Sequence, residues 1–149
     1  MDAALVSSPG QIEADIQVEG SDYVSGRDLE TAIRLSLFLD ARASVADELP
    51  SGAEGFGADR RGWWASGFIG DGSEFGSRLW LLARSKLTQE VRQRFADFAR
   101  QALEWLVTDQ IARSVEVSTQ VLGIDSIQLD IAVTREDGIP ARFAFVWEL

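Results

Sequence analysis

The sequence predicts an α+β fold in a single domain: an antiparallel C-terminal β-meander packed against two to three helices, with a long Gly/Trp-rich loop. Three observations carry this prediction. Apolar residues recur at steps of three and four from about 28 to 40 and again from 88 to 109. After residue 112 the period changes to two and holds to the C-terminus. Between the helical stretches lies a segment rich in glycine and tryptophan that follows neither period.

Residues 1–24 read as an N-terminal strand or arm. From Gln11 to Val18, Ile12, Ala14, Ile16 and Val18 alternate with Glu13, Asp15 and Gln17, and Gly20-Ser21-Asp22 breaks the pattern. A helix follows. Ser25 is placed to cap it, with Asp28 three residues on as an acidic variant of the capping box. Leu29, Ile33 and Leu37 share one face, and Leu35, Phe38 and Leu39 widen the apolar arc, which predicts burial on more than one side.

From 43 to 76 the pattern dissolves into an irregular loop with eight glycines and Pro50. Phe56, Trp63, Trp64, Phe68, Ile69 and Phe75 make it too apolar for a plain linker. The expectation is a segment that wraps the domain and pins itself with aromatics. Ser77 then starts a short helix, Arg78 to Ser85, which offers Leu79, Trp80, Leu82 and Ala83 to the core. Thr88 is the expected N-cap of the longest helix, running to about Asp109, with Val91, Phe95, Phe98, Ala102, Trp105 and Leu106 as its apolar stripe. Glu90 and Arg94 form a favourably ordered pair on its outer face.

Three strands close the chain. Val115, Val117, Thr119 and Val121 share one face of the first, and Ile127, Leu129, Ile131 and Val133 one face of the second. Asp137-Gly138 signals a hairpin turn, and Phe143, Phe145 and Trp147 line one face of the last strand. Short turns between consecutive strands predict a meander.

Composition excludes several chemistries. Histidine and cysteine are both absent, which removes disulfides, thiolate metal sites, Ser-His and Cys nucleophiles and histidine acid–base work. No apolar run approaches a membrane span, and the N-terminus lacks the basic and apolar regions of a signal peptide, so the expectation is folding in cytoplasm with no membrane partner. A net charge of -10 argues against a nucleic-acid partner. That charge is uneven: residues 1–60 hold 12 acidic and 4 basic side chains, residues 61–149 hold 12 and 10. Between Arg78 and Arg100 basic residues dominate, either as an ordinary solvated helix face or as a surface for neighbours.

Candidate sites are few. Asp71 and Glu74 in the loop, and Glu136 and Asp137 in the hairpin turn, are the acidic pairs a glycan hydrolase would need, but nothing in the sequence brings either pair into a cleft. The 71–74 segment lacks an EF-hand's alternating ligands, and no Gly-x-x-x-x-Gly-Lys phosphate cradle occurs, so no metal or cofactor is expected. Trp63 and Trp64 anchor the loop on the domain's own core, or at least one is exposed as a hot spot for a neighbouring subunit, with Arg60 and Arg61 beside them; both can hold, because adjacent residues generally point different ways. The outer edge of the last strand either pairs with the N-terminal strand or takes a strand from another chain.

Arg61-Gly62-Trp63-Trp64, the run from Gly76-Ser77-Arg78-Leu79-Trp80-Leu81-Leu82 to Thr88, and Ala102-Leu103-Glu104-Trp105-Leu106-Val107 together resemble the Mu-like phage baseplate protein family. The resemblance covers about Asp28 to Trp147, and the Gly-Ser-Arg-Leu-Trp-Leu-Leu segment is its specific part. The chain departs at Ala65-Ser66-Gly67, where the family pattern has a Gly-Asp pair. The resemblance implies a wedge component similar to the sheath initiators of contractile tails. Such proteins surround the central tube, in several copies, and offer a β-sheet to which sheath arms add strands. Expected partners are other wedge proteins, tail sheath and central tube or hub proteins, in a virion tail assembled in host cytoplasm. Some members carry a lysozyme-like label, but no catalytic motif comes with the resemblance, and a non-enzymatic role is expected. The interface residues it suggests are Arg61, Trp63, Trp64, Arg78, Trp80, Phe143, Phe145 and Trp147. A carboxylate-dependent cell-wall glycan hydrolase, and a cytoplasmic adaptor binding through Trp63 and Trp64, are the alternatives.

Overall fold

The computed structural model describes residues 28–50, 59–68, 75–136 and 138–149, together with the backbone of four two-residue strands nearer the N-terminus. Contacts divide the chain into two compact units, Met1–Leu35 and Ser36–Leu149.

In the first unit, β1 (Leu5–Val6) pairs antiparallel with β2 (Asp15–Ile16), and β3 (Val18–Glu19) pairs with β4 (Asp22–Tyr23). Within the span read as one strand, 11–18, pairing therefore involves Asp15, Ile16 and Val18. The remainder of that span, and the expected cap at Ser25, lie outside the described residues. Helix α1 (Asp28–Phe38) begins here and ends in the second unit. Leu29, Ile33 and Leu37 are buried along it as their spacing requires. Glu30 accepts from Arg34 one turn on, at 2.8 Å.

The second unit holds the α+β core. A 3₁₀ turn over Trp64–Phe68 and another over Leu79–Leu82 precede α2 (Gln89–Thr108). The second turn is shorter than the Arg78–Ser85 helix expected, yet it buries all four of its residues. Thr88 caps α2 as read, its hydroxyl accepting from the Val91 N–H at 3.2 Å. Phe95, Ala99, Leu103 and Leu106, at steps of four, four and three, are fully buried along the face of α2 that packs on the sheet.

The helix ends in a Schellman motif. The Ile111 N–H reaches Leu106 O at 2.9 Å, and the Gln110 N–H reaches Val107 O at 3.1 Å. Gln110 holds the left-handed position at φ 61, where glycine is usual.

The sheet runs β5 (Ala112–Val121), β6 (Ser126–Arg135) and β7 (Pro140–Glu148), antiparallel throughout with β6 central. Ile127, Leu129, Ile131 and Val133 of β6 are all at 1% exposure or less, so the period-two reading places the core correctly. A register shift between Ala112 and Ser114 bulges the start of β5. The extra residue lets Ala112 and Val117, of opposite parity, both be buried. Gly138 takes φ 80 in the turn before β7, while Asp137 lies outside the described residues.

Candidate functional site

Two features stand out on the second unit: the segment that closes the long loop onto the domain, and the sheet edges. The closing segment is the Gly-Ser-Arg-Leu-Trp-Leu-Leu run, residues 76–82. Gly76 sits at φ 113, and a Cβ there would stand 2.6 Å from Leu39 O, so no side chain fits. This close approach lets Ser77 bridge in parallel to Asp40, with the Ser77 N–H on Leu39 O at 2.8 Å and the Ala41 N–H on Ser77 O at 2.9 Å. Buried Ser77 Oγ also donates to Leu37 O at 2.6 Å, satisfying a carbonyl at the end of α1. Trp80 is buried at 8% exposure and donates its indole N–H to Ala41 O at 2.8 Å. The motif thus staples the 3₁₀ turn that precedes α2 to the end of α1 and the residues that follow it.

Arg78 links this staple to its surroundings. Its guanidinium lies 4.8 Å over the Phe98 ring, meets both Asp47 oxygens at 3.1 and 3.0 Å, and donates to Gln101 Oε1. Burial alone would raise the Asp47 carboxyl. The Ser44 backbone N–H and the Arg78 guanidinium outweigh it and hold the group below the usual carboxylate range. An open groove of about 340 Å³ runs beside them between residues 41–44, Gly76–Arg78 and α2. Arg61, at φ 43, pairs with Asp40 at 2.6 Å and lies 5.1 Å over Trp80.

The adjacent tryptophans point different ways. Trp63 is half-buried and packs on Phe75, which packs on Trp105, each ring pair 6.0 Å apart. The Trp105 indole N–H in turn donates to buried Ser36 Oγ at 2.9 Å. Trp64 is 81% exposed and forms an edge-on pair with Phe68, itself 82% exposed. Phe68 is the residue that sequence reasoning left out of the site, although its i+4 spacing from Trp64 was a usable signal.

On the last strand, Phe143 and Trp147 are half-buried and Phe145 is buried, all on the core side. Phe38 stacks on Trp147 at 4.5 Å and meets Phe145 edge-on, yet stays 45% exposed. What the edge presents outward is backbone. The bond from the Leu149 N–H to Asp125 O makes that pair a hydrogen-bonded one. Counting back by twos along the register, Trp147, Phe145 and Phe143 turn their N–H and C=O groups to β6. Arg142, Ala144, Val146 and Glu148 turn theirs outward, and among the described residues no strand pairs with them.

Among the described residues the acidic side chains do not gather into a site. Asp71 and Glu74 lie outside the described residues, and Glu136 is exposed in the hairpin turn. Asp40, Asp47 and Asp97 are each engaged by an arginine.

Comparison with known proteins fits this geometry. Residues 29–140 match the family described as phage protein GP46. The chain is 38% identical to the baseplate protein gp46 of Escherichia phage Mu, over 95% of this chain and 94% of that one. It is 34% identical to the Mu-like prophage FluMu protein gp46 of Haemophilus influenzae, over 89% and 87%. The matched span contains the whole staple, the aromatic loop, α2, β5 and β6, and on these grounds the chain belongs to the GP46 family of Mu-like phage baseplate proteins.

Proposed function

We propose that this chain is a non-enzymatic structural part of a contractile phage tail baseplate, a wedge component of the sheath-initiator type. It works in several copies in the virion tail, is assembled in host cytoplasm, and binds neighbouring wedge, sheath and tube proteins. The observation that carries this reading is the outward-facing backbone of β7 at Arg142, Ala144, Val146 and Glu148. Among the described residues nothing pairs with the donors and acceptors of these four residues, which form a ready template for an added strand about 4.8 Å away. Core-side residues of such a strand would lie beside the Phe143, Phe145 and Trp147 row. Apolar residues at alternate positions suit that place.

A hydrolytic role fits less well. Glycan cleavage needs two carboxyls converging on a cleft, one of them carrying a raised pKa. Asp47, bonded to Ser44 and Arg78 of the groove's lining, is instead lowered and held by Arg78.

Proline at an outward-facing position tests the edge without breaking the sheet. The Val146 N–H makes no ladder bond, whereas the Phe145 N–H faces Leu129 of β6 and proline there would damage the fold itself. Folded Val146→Pro should lose capture of the sheath protein encoded with it, while wild type retains it. Equal capture by a Val146→Pro variant with an unchanged melting curve would reject strand addition at this edge.

A further inference from the structure

The sheet has two outer edges, and they are not equivalent. In the first hairpin the Leu122 N–H donates to Ser126 O at 2.9 Å. Counting back by twos, Gln120, Ser118, Glu116 and Ser114 bond to β6, and Val115, Val117, Thr119 and Val121 face the outer edge of β5. The carbonyl in the middle of that row is already taken. Arg100 Nη2 donates to Val117 O at 3.1 Å, and Arg100 Nη1 is held by Asp97 Oδ1 at 2.7 Å. Asp97 Oδ1 also accepts from Gln93 Nε2 at 3.2 Å, so the carboxylate is itself fixed along α2.

We propose that Arg100 seals β5 against strand addition, so that strands from other chains join this sheet on β7 alone. The partner rests on the strand-addition reading above; the seal rests on the geometry of β5 itself. An incoming strand would run about 4.8 Å from β5 and would need Val117 O as an acceptor. The guanidinium occupies that lane, and displacing it would leave Asp97 without its cation. The bulge at Ala112–Ser114 interrupts the same edge at its start. Between them, the two devices leave Val115 isolated on one side of the arginine, with Thr119 and Val121 on the other.

β7 carries neither device. Its register runs without a shift from Pro140 to Glu148, and among the described residues no side chain bonds its outward groups. Only Pro140, which has no N–H to offer, limits the edge at its first residue. Folding alone does not demand the seal. Arg100 and Asp97 are 47% and 49% exposed, the setting in which an i,i+3 pair contributes little to stability.

The test uses the full chain as wild type, Arg100→Ala, Arg100→Lys and the double variant Arg100→Ala/Thr119→Pro. The Thr119 N–H faces outward, so proline there blocks pairing on β5 without removing a bond to β6. Sedimentation velocity reads self-association, and amide exchange reads the Val115, Val117, Thr119 and Val121 N–H groups. Arg100→Ala should associate at roughly tenfold lower concentration than wild type, the effect of about one charge-assisted hydrogen bond. Its outward amides should become protected as it does so. Arg100→Lys should behave as wild type, and the double variant should return to wild-type association. Unchanged association in folded Arg100→Ala, or association that persists in the double variant, overturns the seal. Neither result depends on sheath binding, so a failure of the tail reading would be seen separately in the sheath capture assay.

Discussion

Asp47 shows how much one residue away from the sheet does for the staple. It fixes Arg78, and through Arg78 the start of the 3₁₀ turn over Leu79–Leu82, against α2. Its folded pKa lies below the ordinary carboxylate value. The stability it contributes is therefore present above the unfolded pKa, about 3.9, and is lost as pH falls through the folded value. Asp47→Asn should cost about 1 kcal/mol at neutral pH, and the gap to wild type should close on acidification below about pH 4. Urea melts at the two pH values measure it, and a gap independent of pH would assign the loss to shape rather than charge. At this scale the sequence was only partly legible. Ser77 was readable as the start of a helix, but its hydroxyl reaches back to Leu37 O, a contact that no local spacing signals. The divergence of Trp63 and Trp64 was foreseeable, but which one faces outward depends on Phe75 and Trp105.

Among the elements, α2 was the most legible because its stripe is long and its cap, Thr88, is of an ordinary type. Its other end was less so. Gln110 adopts the left-handed conformation without being glycine, so the stop was marked in the sequence only by a fading stripe. Gln110→Gly should relieve that strain and stabilise the protein by about 0.5–1 kcal/mol, which thermal unfolding would detect as a higher midpoint. A lower midpoint would mean that the glutamine side chain matters more than its backbone. The β-meander was legible in strand number and facing, because residues on β6 alternate cleanly. The bulge in β5 was not, since Arg113 and Ser114 carry no glycine to announce it. The difference between the two edges was equally hidden. It depends on Arg100, which belongs to a helix and reads in sequence as a solvated charge.

For the molecule as a whole, the outward-turned aromatics are where the proposed assembly role can be tested apart from stability. Trp64 and Phe68 are more than four-fifths exposed, so the fold has little need of them. Trp64→Ala should shift unfolding free energy by no more than about 0.5 kcal/mol. If Trp64 anchors a neighbouring tail protein, the same change should weaken capture by about 2 kcal/mol, the scale of a binding hot spot. Calorimetry on the free chain and titration against the tail partners read the two effects. A large loss of stability would show that the ring serves its own chain. The fold class was legible from two changes of hydrophobic period. The assembly surface we propose was legible mainly through resemblance, because an exposed tryptophan and a buried one look alike in a sequence.

The parallel bridge between Asp40 and Ser77 has an evolutionary consequence. It brings the two ends of the excursion between them into contact, and a second bond, from the Ala43 N–H to Arg60 O at 3.1 Å, closes the segment 43–60 at its base. A closed excursion tolerates changes in its own length, since doubling a flexible loop costs only about 0.6 kcal/mol. Asp47 still ties that segment to Arg78 beside α2, so insertions and deletions are best placed between Asp47 and Arg60, where they leave this ion pair intact. The staple at Gly76 and Ser77 can hold its place whatever the length of that segment.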